Sequence, residues 1–196
     1  EKHIENLQKF GLPIVVAVNE YPTDTPAELA AVLEICGRHG VEAAISQVFG
    51  AGGKGGVAVA EKLLALMERT PSTYQPLYPL SAPLTEKVRI IAREIYGADD
   101  AVFTKEAEQS IEKLTSMGYG ELPICMAKTQ YSLSDDPSLL GRPQGFNVTV
   151  RQAKLSAGAG FVVMLTGEIM TMPGLPKLPA AEKIDIDNEG RISGLF

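Results

Sequence analysis

The sequence predicts an α/β protein: the closing strand–helix units of a parallel sheet over residues 1–72, then a smaller α+β domain over residues 73–196. Three observations predict it. Two short, continuous apolar runs, Ile14 to Val18 and Val41 to Val48, have the character of strands covered on both faces. Helical patterns precede, separate and follow these runs, and strands alternating with helices at this spacing make a parallel sheet. The stretch from Thr70 to Pro83 then carries four prolines and reads as a linker, beyond which the pattern changes. Two strands alone do not make a stable sheet, so residues 1–72 read as the end of a larger one.

The elements follow in order. Residues 4–10 are the end of a helix closed by Gly11 and followed by Pro13. After the first strand, Thr25-Pro26-Ala27-Glu28 combines an N-cap threonine, a proline at the first helical position and a glutamate three residues after the cap. Leu29, Val32, Leu33 and Cys36 are expected to form the buried face of this helix, which Gly40 ends. Behind the glycine-rich segment Gly50 to Gly56, a further helix is expected to bury Val59, Leu63, Leu66 and Met67. In the second half, a helix capped by Thr85 runs to Tyr96 and another spans about 105–117. A short strand, Leu122 to Ala127, leads into a long polar loop. Two strands, 146–155 and 160–166, close a hairpin through Gly158 and Gly160. Met164, Met170 and Met172 are expected to fill core gaps.

Net charge is −6 with a pI near 5.0, which argues against a nucleic-acid surface. No apolar run approaches the ~18 residues that a membrane helix needs. The two cysteines, Cys36 and Cys125, are too few for a disulfide framework and lie in apolar stretches, so both read as reduced core thiols of a cytoplasmic protein. The chain starts Glu1-Lys2-His3 and enters directly into a helix, an expectation of a piece cut from a longer chain.

In open α/β sheets ligands bind beyond the carboxyl ends of the strands, which makes Asn19-Glu20-Tyr21-Pro22-Thr23-Asp24-Thr25 a binding candidate. Tyr21 offers a flat ring for stacking, while Thr23 and Asp24 offer polar groups; the alternative is that Asp24 and Thr25 only cap the helix. The second strand ends beside Phe49, and successive parallel strands put their carboxyl ends on the same edge. Tyr21 and Phe49 are therefore expected to face each other across one slot, unless they are two separate core aromatics. The run Gly52-Gly53-Lys54-Gly55-Gly56 does not match a P-loop, because Gly55 follows Lys54. Its glycines let backbone approach a flat ligand, or simply make a turn. Lys128 to Ser132 is dense in polar groups, suited to line a site or to satisfy neighbouring backbone. His3 and His39 have no partner at a meaningful spacing, and no nucleophilic triad is supported.

Six strings together resemble the formate–tetrahydrofolate ligases, also called 10-formyltetrahydrofolate synthetases. They are Val16 to Asn19 with Tyr21 to Thr25, Gly52 to Gly56, Met126 to Ser132, Leu140 to Pro143, Ser156 to Phe161 and Gly167 to Pro176, and the likeness extends from residue 1 to the terminal Gly194-Leu195-Phe196. The resemblance implies the C-terminal portion of an enzyme with a P-loop-NTPase-like sheet. That enzyme uses ATP with Mg2+ and formate to make formyl phosphate, which the N10 amine of tetrahydrofolate attacks to give 10-formyltetrahydrofolate, ADP and phosphate. The nucleotide phosphates are held by a P-loop in the N-terminal part, which has no counterpart here, so this chain alone is expected to be inactive and to hold no catalytic group or metal site. In relatives an aromatic pair, often Phe and Trp, sandwiches the pterin ring; the positions correspond to Tyr21 and Phe49, where Phe49 gives a smaller face without an indole N–H. The folate slot implied comprises Tyr21, Pro22, Thr23, Asp24, Phe49, Gly52 and Gly53. The family also implies a homotetramer that responds to a monovalent cation. The contrasting expectation is a non-catalytic packing or oligomerisation module with no ligand role of its own.

Overall fold

A computed structural model of the chain describes residues 1–167 and 177–194. Helix α1 (Lys2–Gln8) leads into strand β1 (Val15–Asn19), helix α2 (Pro26–Arg38) and strand β2 (Glu42–Ser46). A short turn of helix, α3 (Val48–Ala51), and a 3-10 turn (Gly52–Gly56) then enter helix α4 (Val57–Arg69). Strands β1 and β2 pair in parallel, with Val15 opposite Glu42 and Asn19 opposite Ser46, and α2 and α4 pack against both. The start of α2 obeys its sequence signature. Thr25 Oγ1 accepts from Glu28 N–H, and the Glu28 carboxylate accepts from Thr25 N–H at 2.9 Å, a reciprocal capping box. Gly40, at φ +67°, ends the helix in the left-handed conformation that other residues avoid.

After an extended connection, the second half begins with helix α5 (Leu84–Ile91), continued by a π-helical turn (Ala92–Tyr96). Strand β3 (Asp100–Phe103), helix α6 (Lys105–Leu114), a second π-helical turn (Thr115–Tyr119) and strand β4 (Ile124–Ala127) follow. Strands β5 (Asn147–Ser156) and β6 (Phe161–Thr166) form an antiparallel hairpin. The four strands lie in the order β3-β5-β6-β4, with β3 parallel to β5 and β4 parallel to β6. Leu84, Val88, Ala92, Ala107, Ile111 and Leu114 from the helices pack on Ala101, Val148, Val150, Ala153, Val162 and Met164 from the sheet. A 3-10 turn (Ala180–Glu182) and the two-residue strands β7 (Asp185–Ile186) and β8 (Ile192–Ser193) complete the described chain. The protein is thus mixed α/β, with parallel pairs in the β1-β2 sheet and in the four-stranded sheet.

Inside this second unit Lys87 is fully buried. Its Nζ donates to the carbonyls of Gly120 and Leu122, both at 2.9 Å, so an ammonium closes the end of the second π-helical turn. Burial pushes the Lys87 pKa down, partly countered by Glu121.

Several expectations are corrected. The second apolar run stops being strand at Ser46, because Gln47 begins a helical turn, so Val48 and Phe49 belong to α3. Strand β1 is only half-covered, since two strands and two helices leave part of its surface open. For the same reason Val32 of α2 and Leu63 and Met67 of α4 are exposed, while Cys36 and Leu66 are buried. Helix α4 is apolar on more than one side, and periodicity cannot say which side meets the sheet. Thr85 does not cap α5, whose N-cap is Pro83. Strand β3 separates two helices where no strand is expected. Cys125 is exposed on β4, whereas Cys36 is buried. Met164 lies in the core, but Met170 and Met172 fall outside the described residues, as do most of the Gly167 to Pro176 string and Leu195 and Phe196.

Helix α1 reaches into the second unit. Asn6 Nδ2 donates to Ile95 O (2.9 Å), Lys2 Nζ donates to Glu94 O (2.8 Å), and Lys9 pairs with the Glu94 carboxylate. Arg142 forks onto Glu5 at 2.8 and 2.7 Å. The Arg142 guanidinium holds the Glu5 carboxyl below its usual range. A carboxyl lowered by folding stabilises above its unfolded value of 4.5, and that contribution is lost as pH falls through the folded value. Denaturation midpoints of the wild type and Glu5→Gln are therefore expected to differ slightly near neutrality and to converge on acidification below pH 4.5.

Candidate functional site

The carboxyl ends of β1 and β2 lie side by side because the strands are parallel and in register. From the first end the chain turns through Tyr21, Pro22 and Thr23, all exposed, before α2 begins. Asp24 fixes that turn: its carboxylate accepts from Tyr21 N–H at 2.8 Å, while its own N–H donates to Tyr21 O at 3.0 Å. This local closure is what short acidic side chains do in turns, and it aims the Tyr21 ring. From the second end, α3 carries Phe49. The two rings meet with centroids 5.1 Å apart and planes inclined by 51°. They are markedly open to solvent, Tyr21 at 47% and Phe49 at 71%. Beside them is a cleft of about 340 Å3 lined by Glu20, Tyr21, Pro22, Gln47, Phe49, Gly50 and Ala51.

The glycine run wraps back under this edge. Gln47 N–H donates to Gly55 O at 3.0 Å. A Cβ on Gly55 would meet the Gln47 carbonyl carbon and oxygen at 2.4 Å, so only glycine permits this approach. Gly52 adopts φ +58° and ψ −146°, a conformation reserved for glycine, where the chain leaves α3. Gly52 and Gly53 are exposed and meet nothing through an added Cβ, and neither lines the cleft beside the rings.

Against protein-family models, residues 1–196 match the one described as formate–tetrahydrofolate ligase. The chain belongs to the formate–tetrahydrofolate ligase family. Its kind of function is that of a ligase of one-carbon metabolism, with tetrahydrofolate and ATP among the substrates.

For a ligase of this family the aromatic pair can be weighed against a pterin. A planar heterocycle between two parallel rings needs their planes about 7 Å apart, two van der Waals contacts of ~3.5 Å each. At 5.1 Å the rings contact each other instead, so a sandwich requires them to part. Separating such a pair costs about 0.5–1.5 kcal/mol, while stacking a heterocycle gains about 1–3 kcal/mol per ring. Opening is therefore the cheaper side of the exchange, and the exposure of Phe49 leaves its ring room to turn.

The structure brings Tyr21, Pro22 and Phe49 together around the cleft, places Asp24 behind Tyr21, and leaves Thr23 on the surface of the turn. The polar segment after β4 lines different clefts. There Lys128 donates to the carbonyls of Thr129 and Ser132 and lies 5.3 Å from the Tyr96 ring centroid, satisfying the backbone of its own loop. Burial lowers the Lys128 pKa and raises that of Tyr96 to about 12. Glu20, within the loop already singled out but given no role there, and Gln47, which a sequence reading misses, also stand at the aromatic cleft, joined by a 2.7 Å hydrogen bond across the strand ends. Their only sequence signal is position, each being the first residue beyond a strand of the parallel pair.

Proposed function

We propose that this chain supplies the folate-binding slot of an ATP-dependent formate–tetrahydrofolate ligase, with Tyr21 and Phe49 as the two faces that hold the pterin. The observation that carries the proposal is the convergence of these two exposed rings, from successive parallel strand ends, over one cleft in a member of this family. Asp24 holds the turn that aims Tyr21, Pro22 lines the cleft beside that ring with Thr23 next to it on the exposed turn, and Gly52 and Gly53 give the backbone of the following loop its path. In this reading β1 and β2 are closing strands of a P-loop-NTPase-like sheet in residues 1–72, and residues 73–196 are a smaller C-terminal domain.

The reaction is the transfer of a phosphoryl group from ATP to formate, followed by attack of tetrahydrofolate N10 on the formyl carbon. Phosphate leaves, and the amine loses its proton. Stacking the pterin positions N10 without touching the reacting carbonyl, so the slot contributes orientation rather than proton transfer. The sequence contains no Gly-x-x-x-x-Gly-Lys-Ser/Thr, which supports placing the nucleotide phosphates on an N-terminal portion of the same enzyme. In this reading the magnesium that accompanies ATP goes with the nucleotide, on that same portion. A monovalent-cation response, a homotetramer and a cytoplasmic location belong to this reading through the family. No helix among the described residues is long and apolar enough to cross a membrane.

The test is a comparison of the 196-residue chain with the full-length enzyme. Expected is binding of tetrahydrofolate by both and formation of 10-formyltetrahydrofolate only by the latter. Turnover of ATP and formate by the chain alone at the full-length rate would overturn the assignment of the phosphate site. Absence of any effect of slot variants on folate would favour a packing module instead.

A further inference from the structure

Glu20 stands where β1 leaves the sheet, immediately before Tyr21. Its N–H donates to Ser46 O at 2.9 Å, and its side chain lines the same cleft as the two rings. Gln47 Nε2 donates to Oε2 at 2.7 Å. Oε1 accepts no hydrogen bond from the described residues, and the carboxylate enters no ion pair among them. A carboxylate carries about four acceptor positions on two oxygens, so one amide leaves most of that capacity unused. The group is oriented by a neutral neighbour, lacks a counter-cation and stands beside two aromatic faces.

The chemistry that completes such a group is a pair of parallel N–H donors on the edge of a flat ring. A 2-amino-4-oxopteridine presents that pair, at N3–H and the 2-amino group, while its faces stack. We propose that Glu20, oriented by Gln47, pairs with this amino-pyrimidinone edge and sets the preference of the slot for 2-amino-4-oxopteridines. The proposal rests on the folate reading of the site. It assigns Glu20 to specificity and Gln47 to positioning; neither touches the reacting carbonyl. Sites that hydrogen-bond a substrate N–H discriminate strongly against analogues lacking it, because their own polar group is then left unpaired.

The decisive substitution is Glu20→Gln. Gln47 still donates to the remaining side-chain oxygen, so the new amide turns its N–H2 toward the pterin donors and an acceptor becomes a donor. In the full-length enzyme the KM for tetrahydrofolate is expected to rise about tenfold to a hundredfold, the effect of losing a hydrogen bond to a charged group, with the KM for ATP and formate unchanged. Wild type is expected to discriminate against 2-desamino-tetrahydrofolate by a similar factor. Glu20→Gln should lose that discrimination, Glu20→Ala should lose it with a smaller rise in KM, and Gln47→Ala should lose part of it. Equal weakening toward tetrahydrofolate and its 2-desamino analogue would overturn edge pairing and make Glu20 structural. If Glu20→Gln leaves folate unaffected while Tyr21→Ala and Phe49→Ala weaken it, the inference falls and the slot stands. If none of the three moves folate, the slot itself is wrong.

Discussion

Replacing Tyr21 or Phe49 by alanine in the full-length enzyme is expected to raise the KM for tetrahydrofolate by about five- to a hundredfold, with little change for ATP. The range follows from ~1–3 kcal/mol of stacking per ring, converted at 1.4 kcal/mol per factor of ten. The 5.1 Å tilted contact adds a second expectation. Because each ring rests on the other in the free protein, removing one also removes the cost of parting the pair. Each single substitution should therefore cost less than the stacking it removes, and the two combined should cost more than the sum of the singles, by about the cost of parting the pair. Tyr21→Phe keeps the face and should be nearly silent, whereas Phe49→Trp enlarges the face and should tighten binding. Steady-state kinetics with each substrate varied in turn checks all five variants. Unchanged folate kinetics in both alanine variants would remove the stacking assignment.

The largest stability effect is expected at Lys87. Lys87→Ala removes a fully buried side chain and leaves the carbonyls of Gly120 and Leu122 without their donor. A cavity of this kind costs about 2 kcal/mol or more, and each of the two part-buried acceptors left unpaired about 1 kcal/mol or more. Relief of the buried charge offsets part of this, so a net loss of about 3–5 kcal/mol is expected, a large share of a typical domain's stability. Lys87→Met preserves the packing of the stem and should lose less, while leaving the same carbonyls unpaired. Urea-denaturation midpoints of the three proteins provide the check. A melting curve of Lys87→Ala close to wild type would mean that water replaces the ammonium.

What was legible in the chain is what local chemistry decides. Thr25-Pro26-Ala27-Glu28 spells a capping box and forms one. The β-branched run ending at Val18 is a strand, and the parallel pairing follows from the helix between it and β2. The aromatic pair was also within reach, because parallel pairing puts both strand ends on one edge. Four matters were not. Strand β3 has four residues and exists through its pairing to β5, a partner more than forty positions away. Covered and open sides of α4 look alike in sequence, because Leu63, Leu66 and Met67 are all apolar and only contact with the sheet distinguishes them. Glu20 and Gln47 are ordinary polar residues until Asn19 and Ser46 are known to be opposite one another. The demand on Gly55 is equally invisible, since it comes from the Gln47 backbone and not from its own neighbours.

The seam where the first unit starts and finishes carries one more consequence. Thr73 N–H and Thr73 Oγ1 both donate to Gly11 O at 3.0 Å, and Gln75 N–H donates to Phe10 O at 3.1 Å. A Cβ on Gly11 would come within 2.4 Å of Thr73 O, which keeps this crossing open only to glycine. The two ends of residues 12–72 thus lie side by side, and a second tie holds the segment to the helix before it, where Gln8 Nε2 donates to His39 O at 3.2 Å. Because its two ends are already neighbours, a change of length in an exposed turn of the segment need not move the residues on either side of it. Side chains on the turns after β1 and β2 can therefore change without moving the ends of the segment, because that crossing is made by Phe10, Gly11, Thr73 and Gln75, none of which belongs to those turns.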